Sequence, residues 1–369
     1  MSANMLFYRY ECDPFHPEKI MNHHCLTGLL PEEIAALLPP GKEQYRGMQI
    51  FRWIHERGVR TFDEMTNLPK TFRNEMTGRF TIGSISPAGV LSSSDGSTDK
   101  FLWKLADGAH IESVIIRNEG RTTACISSQV GCKRGCGFCR TASMGFVRNL
   151  LAGEIDDQLI RMRFILRENG EDISNIVFMG MGEPLDNFDE LARAITVINL
   201  ETGLCIGLRK ITVSTSGHAP GIRLLSDRFS KVGLAISLNA PNDDLRSRLM
   251  PINRRWPLDT LIESARYYHN ATKRRVTFEY ILIDGVNDSP RHAKQLLDIC
   301  RRVPSKVNLI AFNEFEGCSY RQPGEGLIEE FQRILFAGNV TAMIRKSKGS
   351  DILAACGQLA VPINRNGAV

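Results

Sequence analysis

A chain of 369 residues with 43% apolar and 24% charged side chains has the composition of a soluble globular protein with a substantial core. No run approaches the ~20 apolar residues that a membrane span needs, and the start, MSANMLFYRYECDPFHPEKIMNHHC, lacks the basic-then-apolar pattern of a secretory leader. Ten cysteines diluted in so long a chain point to metal-binding or catalytic thiols in a cytoplasmic protein, not to a disulfide framework.

Residues 1–27 show no clear period and are expected to form an irregular arm. Residues 28–85 read as a small helical domain, with short apolar-periodic pieces broken by Pro39, Pro40, Gly41, Gly58 and Pro69. It is basic, carrying Arg46, Arg52, Arg57, Arg60, Lys70 and Arg73. A strand-rich connector over 86–120 follows, with strands at KFLWKL and IESVIIR around the turn residues Asp107 and Gly108. From 121 to 345 apolar, β-branched runs alternate with helical segments. TACISSQV, NIVFMGMG, KITVSTSG, GLAISLNA, VTFEYILID and VNLIAF are each followed by a helix. Six strand–helix units in series predict parallel strands with right-handed crossovers. They fall short of the eight units of a closed barrel, and an open doubly wound sheet is the competing arrangement. A segment over 346–369 closes the chain.

The polar residues cluster just after the strands: Gly131 to Cys139, Gly182-Glu183-Pro184, Ser214 to Gly217, Ser237 to Asn239, and Asn313. Ligands of parallel α/β folds bind at the carboxyl ends of strands, so these loops describe one site. The first of them, GCKRGCGFCRT, gathers Cys132, Cys136 and Cys139 among glycines that relax the backbone. Soft thiolates select zinc or iron–sulfur. Structural zinc and most 4Fe–4S clusters take four protein ligands, so three leave one position open for a substrate. Cys125 as a fourth ligand would make the site structural, and three buried thiols without metal is the remaining alternative.

CKRGCGFC resembles the radical S-adenosylmethionine (SAM) motif. More narrowly, CISSQVGC, GFVRNL, FMGMGEPLDN, STSG, LAISLNAPNDDLRSRLMPIN, DGVNDS, VNLIAFN and DILAACGQL resemble the RNA adenine-carbon-2 methyltransferases of the RlmN type. With RGMQIFRWIHERGV and MTNLPKTFR the likeness covers nearly all of the chain after residue 28. It implies a partial (β/α)₆ barrel with a small N-terminal helical domain. It implies one 4Fe–4S cluster on Cys132, Cys136 and Cys139, and SAM held by Gly182, Glu183, Ser214, Ser237, Leu238, Asn239 and Asn313. Two SAM molecules would be consumed per turnover. Cys356 in AACGQLA would accept a methyl group and join carbon 2 of adenine in a transient protein–RNA crosslink. Cys125 would resolve it through a transient disulfide with Cys356, and Glu112 in AHIESVII would take the carbon-2 proton. Read alone, Cys356 and Cys125 are small buried hydrophobes and Glu112 a solvent-facing strand residue.

The implied substrates are adenosine 2503 of 23S ribosomal RNA (23S rRNA) and adenosine 37 of some transfer RNAs (tRNAs), gripped by the basic helical domain. A reducing partner such as flavodoxin or ferredoxin is implied, along with a monomeric state and no membrane partner. The rival readings are a Cfr-type enzyme that methylates carbon 8, and an RNA-binding protein with a structural metal site. GEPL at 182–185 favours the RlmN type. Two positions depart from the family pattern: Asn239 stands where histidine is common, and Arg140 where a small residue is usual.

Overall fold

The computed structural model describes residues 25–41 and 43–360. Of the expected arm over 1–27, residues 1–24 lie outside the described residues, as does the last part of the C-terminal segment, 361–369. Three helices, Pro31–Leu37, Glu43–His55 and Lys70–Arg79, form the N-terminal region. Their apolar stripes converge, with Ile34, Ile50, Phe51, Ile54 and Met76 fully buried. Leu26 is buried too, and its N–H donates to Thr81 O, so residues 25–27 pack with these helices. The region docks on the rest of the chain where Gly28 meets Gly153 so closely that a Cβ on either would strike backbone.

Ten strands make one sheet: β1 Ile85–Ser92, β2 Thr98–Leu105, β3 His110–Asn118, β4 Arg121–Cys125, β7 Asn175–Phe178, β8 Ile211–Thr215, β9 Gly233–Ser237, β10 Val276–Leu282, β11 Ser305–Ala311 and β12 Ala342–Arg345. β5 Gln129–Gly131 and β6 Phe146–Asn149 form a separate hairpin. β4 and β7 to β12 pair in parallel, each joined to the next by a helix: Ala152–Glu168, Phe188–Asn199, Ala219–Arg228, Leu258–Thr272, Pro290–Arg301 and Glu325–Ala337. This is the mixed α/β partial barrel expected, with the helical region in front of it. Among the described residues no pairing joins β1 to β12, so the barrel stays open.

Side chains alternate across each strand, and register therefore decides what faces the lumen. Tyr280 packs outward, its ring 5.3 Å from Phe331 of the last crossover helix. Glu279 therefore points inward, level with Ser237, Asn308 and Met343. By the same pairing Cys125 stands level with Val177 and Thr212. β3 runs antiparallel beside β4 with Val114 opposite Cys125, which puts Glu112 on the same face two residues along.

The structure departs from the sequence reading at two places. TACISSQV splits into β4 and β5. Ser127 carries the break: its N–H donates to Gln158 Oε1 and its hydroxyl to Glu112 O, so side chains replace the ladder bonds. β1 was not legible as a strand, because seven of its eight residues are exposed and show no alternation. It survives as an edge strand, the place where a sheet accepts Pro87.

Candidate active site

The hairpin β5–β6 brackets the cysteine loop. Gly131 (φ +72°) lies against Gly145, whose carbonyl accepts the Cys132 N–H at 2.8 Å. The loop then turns on itself, Cys139 N–H to Cys136 O at 3.2 Å, and its Gly137 N–H donates to Leu249 O at 3.0 Å. Its flank is pinned electrostatically: Arg134, Lys133 and His218 surround Asp186, and Arg134 also lies over the Trp256 ring.

Burial pushes the Cys132 thiol up to about 12 and raises Cys136 and Cys139 as well. Three thiols in a dry pocket stay protonated unless a cation compensates them. That donor set fits an iron–sulfur cluster.

The strand-end residues divide into two groups. Ser214, Ser237 and Asn313 are partly exposed at the barrel mouth. Gly182, Glu183, Leu238 and Asn239 are instead committed to the protein. Gly182 (φ +102°) lies where a Cβ would come within 2.6 Å of the Gln129 side chain. Glu183 is buried, accepts from Ser216 N–H (2.7 Å) and Ser216 hydroxyl (2.6 Å), and is raised chiefly by burial. Leu238 is buried and its N–H donates to Glu279 O. Asn239 adopts φ +55°, a conformation asparagine tolerates better than most residues, and its Oδ1 accepts the Ile281 N–H at 2.9 Å. At this position asparagine secures the β9–β10 junction.

One residue escaped the sequence reading. Arg246 is fully buried, and its guanidinium donates to Leu238 O, Ser216 O, Ser237 O and Asn253 Oδ1. It ties the β8 and β9 ends together beside Cys136, and burial brings it down to about 10. A charged residue amid the apolar spacing of LRSRLM was the only available signal.

Cys356 sits on a strap over residues 349–360 that follows β12. On one side the strap meets β11 and the cluster loop: Asn313 Nδ2 donates to Cys356 O (3.1 Å), Arg140 N–H to Gly357 O (2.8 Å) and the Thr141 hydroxyl to Leu359 O (2.6 Å). The departure at Arg140 thus lies where the cluster loop touches the strap. On the other side Lys100 and Glu112, from β2 and β3, reach Leu353 O and Ala360 N–H.

Cys356 is accessible to solvent, yet surrounding protein pushes its thiol up to about 12. Glu279, Cys139 and Cys125 add to that rise. Cys125 is buried and also pushed up to about 12. Both are free thiols; the disulfide implied by the resemblance is not formed, and the two sulfurs are not at bonding distance.

This chain is 48% identical over 340 residues to the dual-specificity RNA methyltransferase RlmN of Syntrophus aciditrophicus, covering 92% of this chain and 97% of that one. The corresponding protein of Geobacter sulfurreducens is 45% identical, covering 90% and 91%. The chain belongs to the RlmN family. Two family patterns agree: the radical SAM superfamily over residues 126–297, and the ribosomal RNA large subunit methyltransferase N-terminal domain over 26–82. The crystal structure of a radical SAM methyltransferase from Sphaerobacter thermophilus superposes with a TM-score of 0.86 at 44% identity, covering 91% of this chain and 98% of that one.

The protein is therefore a SAM-dependent methyltransferase of the radical type. Among the described residues no helix is long and apolar enough to cross a membrane. In the helical region Arg57 lies 4.2 Å over the Trp53 ring and Arg46 4.3 Å over Phe72, while Arg60 and Arg73 bond to backbone carbonyls.

Proposed function

We propose that the enzyme methylates carbon 2 of adenosine 2503 in 23S rRNA and of adenosine 37 in tRNA. The observation that carries this reading is the strap of Cys356 lying between the cysteine loop, bonded through Arg140 N–H and the Thr141 hydroxyl, and Glu112, whose strand pairs with that of Cys125. An ordinary methyl transfer needs a nucleophilic target, and carbon 2 of adenine is electrophilic. A covalent route through a protein sulfur divides the problem into feasible steps. Cys132, Cys136 and Cys139 would hold a 4Fe–4S cluster, which would supply the electron for radical chemistry.

The chain's own residues take the other roles. Ser214, Ser237 and Asn313 line the space for SAM, while Gly182, Glu183, Leu238 and Asn239 fix the loops around it. Cys356 Sγ gives up its proton and takes a methyl group from one SAM, which leaves as S-adenosylhomocysteine. The methyl carbon would then lose a hydrogen atom to the 5′-deoxyadenosyl radical of the second SAM and bond to carbon 2 of the base. Glu112 accepts the carbon-2 proton. Cys125 acts as the resolving thiol once strap movement brings its sulfur to Cys356. The new bond to Cys356 Sγ replaces its bond to the methylene carbon, and that carbon takes a proton as the methylated base leaves. The surplus electron passes to the redox partner, and the same class of partner returns both cysteines to thiols. Exposed Arg52 and Arg57 offer the helical region's charge to RNA phosphates. The reading includes two SAM per turnover, a flavodoxin- or ferredoxin-like donor, and a cytoplasmic monomer.

The test is mass spectrometry of digested 23S rRNA and tRNA after anaerobic reaction with SAM and a reductant. 2-Methyladenosine is expected. 8-Methyladenosine would move the enzyme to the Cfr type, and no modified adenosine would overturn the reading.

A further inference from the structure

Glu112 does not stand free in this structure. It is 4% exposed, and both of its oxygens are engaged. Oε1 lies 3.2 Å from Lys100 Nζ, and Oε2 accepts the Ala360 N–H at 2.9 Å. Lys100 is also buried, at 8%, and its ammonium makes a second bond, 3.3 Å to Leu353 O. Ala360 and Leu353 belong to the strap that carries Cys356. One carboxylate and one ammonium thus hold the strap at two points, either side of the methyl-accepting cysteine.

The strap has the marks of a seated, releasable element. Leu353 is held at φ +53°, a conformation that costs a branched side chain energy and persists only where its surroundings impose it. Lys100 Nζ bonds directly to the carbonyl of that residue. A buried ion pair repays its desolvation only when its remaining hydrogen bonds are made. Here the strap's backbone makes them, so lifting the strap weakens the pair and frees a carboxylate oxygen together.

We propose that Lys100 is a positioning residue for the RNA step: it locks the strap onto Glu112, so that the carboxylate is released to the substrate only when the strap that carries Cys356 lifts. This rests on Glu112 acting as the proton acceptor. It adds that the base is covered in the resting enzyme, and that Lys100 couples its release to movement of Cys356.

The experiment uses anaerobically reconstituted full-length enzyme and a 23S rRNA fragment. It compares Lys100→Met, Lys100→Arg, Glu112→Gln and the double variant Lys100→Met/Glu112→Gln, which removes both buried charges together and guards against misfolding of the single change. Three readouts are followed: hydrogen exchange of strap amides 350–360, S-methylation of Cys356 by intact mass, and kcat and KM for RNA methylation. Without Lys100 the strap is unpinned and Glu112 loses the cation that sets its position, so Lys100→Met is expected to speed strap exchange about tenfold and lower kcat about a hundredfold, with KM and Cys356 S-methylation within about threefold. Lys100→Arg, which keeps the cation, should restore strap protection. The double variant should be no slower than Glu112→Gln, because the two residues act as one unit. Lys100→Met with wild-type strap exchange and kcat, beside an inactive Glu112→Gln, would overturn the lock and leave the base intact. A double variant showing the summed losses would overturn it too. Glu112→Gln at the wild-type rate would instead overturn the base assignment, and this role of Lys100 with it.

Discussion

The two sulfur sites of this enzyme are built in opposite ways. The cluster loop draws Cys132, Cys136 and Cys139 from eight consecutive residues, braced by the β5–β6 hairpin and by Asp186 between the Arg134 and Lys133 cations. The strap site draws Glu112, Cys125 and Cys356 from parts of the chain more than two hundred residues apart, held by single hydrogen bonds to backbone atoms. A site meant to hold a group permanently has its ligands on one short covalent loop. In the proposed function, the thiol that would first take a methyl group and then meet a base is hung on bonds that can be broken one at a time.

The sharpest way to break this comparison is to remove a cysteine from each side. Cys136→Ala should lose iron and at least about a thousandfold in both Cys356 S-methylation and RNA methylation, because one open-site ligand cannot be spared. Cys356→Ala should lose RNA methylation to the same extent while keeping full iron content and visible absorbance. Iron analysis beside product assay separates them, and iron loss in Cys356→Ala would show the two sites to be one.

Arg246 tests how far the permanent side extends. Arg246→Met removes four donated bonds, two to buried and two to half-buried acceptors, which should cost about 3 kcal/mol of folding stability. Chemical denaturation reads this directly. KM for SAM should rise as the β8 and β9 ends separate. An unchanged midpoint would mean that the strand-end loops hold themselves.

How much of each site could be read in the sequence follows from the same contrast. Cys132, Cys136 and Cys139 announce themselves because their spacing is local chemistry, and the crossover strands show as apolar runs because both of their faces are buried. Cys356 and Cys125 carry no local signal, since an isolated thiol reads as a small hydrophobe; only a likeness to known enzymes marked them. Glu112 looked like a solvent-facing strand residue until the antiparallel pairing of β3 with β4 turned it toward the lumen. Asn239 and Glu183 were legible as strand-end polar residues. That their side chains serve the protein's own backbone became visible only with the register of β8 to β10 in place.

Proton affinity offers a finer separation of the two sites. The Cys356 thiol, pushed up to about 12, is mostly protonated at neutral pH. Its thiolate fraction grows tenfold per pH unit below that value, so Cys356 S-methylation should rise about a hundredfold between pH 7 and 9. Thiolates already bound to iron have no proton left to lose, and iron content should stay constant over the same range. A flat S-methylation profile would show that a nearby base deprotonates Cys356 within the site.

The smallest expected effect falls where the two sites touch. The Thr141 hydroxyl donates to Leu359 O at 2.6 Å, joining the cluster loop to the strap through one side-chain bond. Thr141→Val keeps the shape and removes the donor, leaving a buried carbonyl unpaired, at a cost of about 1 kcal/mol to the seated strap. Exchange of the strap amides should quicken about fivefold, the factor that this energy corresponds to. Global stability and iron content should stay put, because the cysteine loop keeps its own internal bonds. If Thr141→Val lowered the iron content instead, the strap would be part of what holds the cluster, and the division between a permanent and a releasable sulfur site would fail where the two touch.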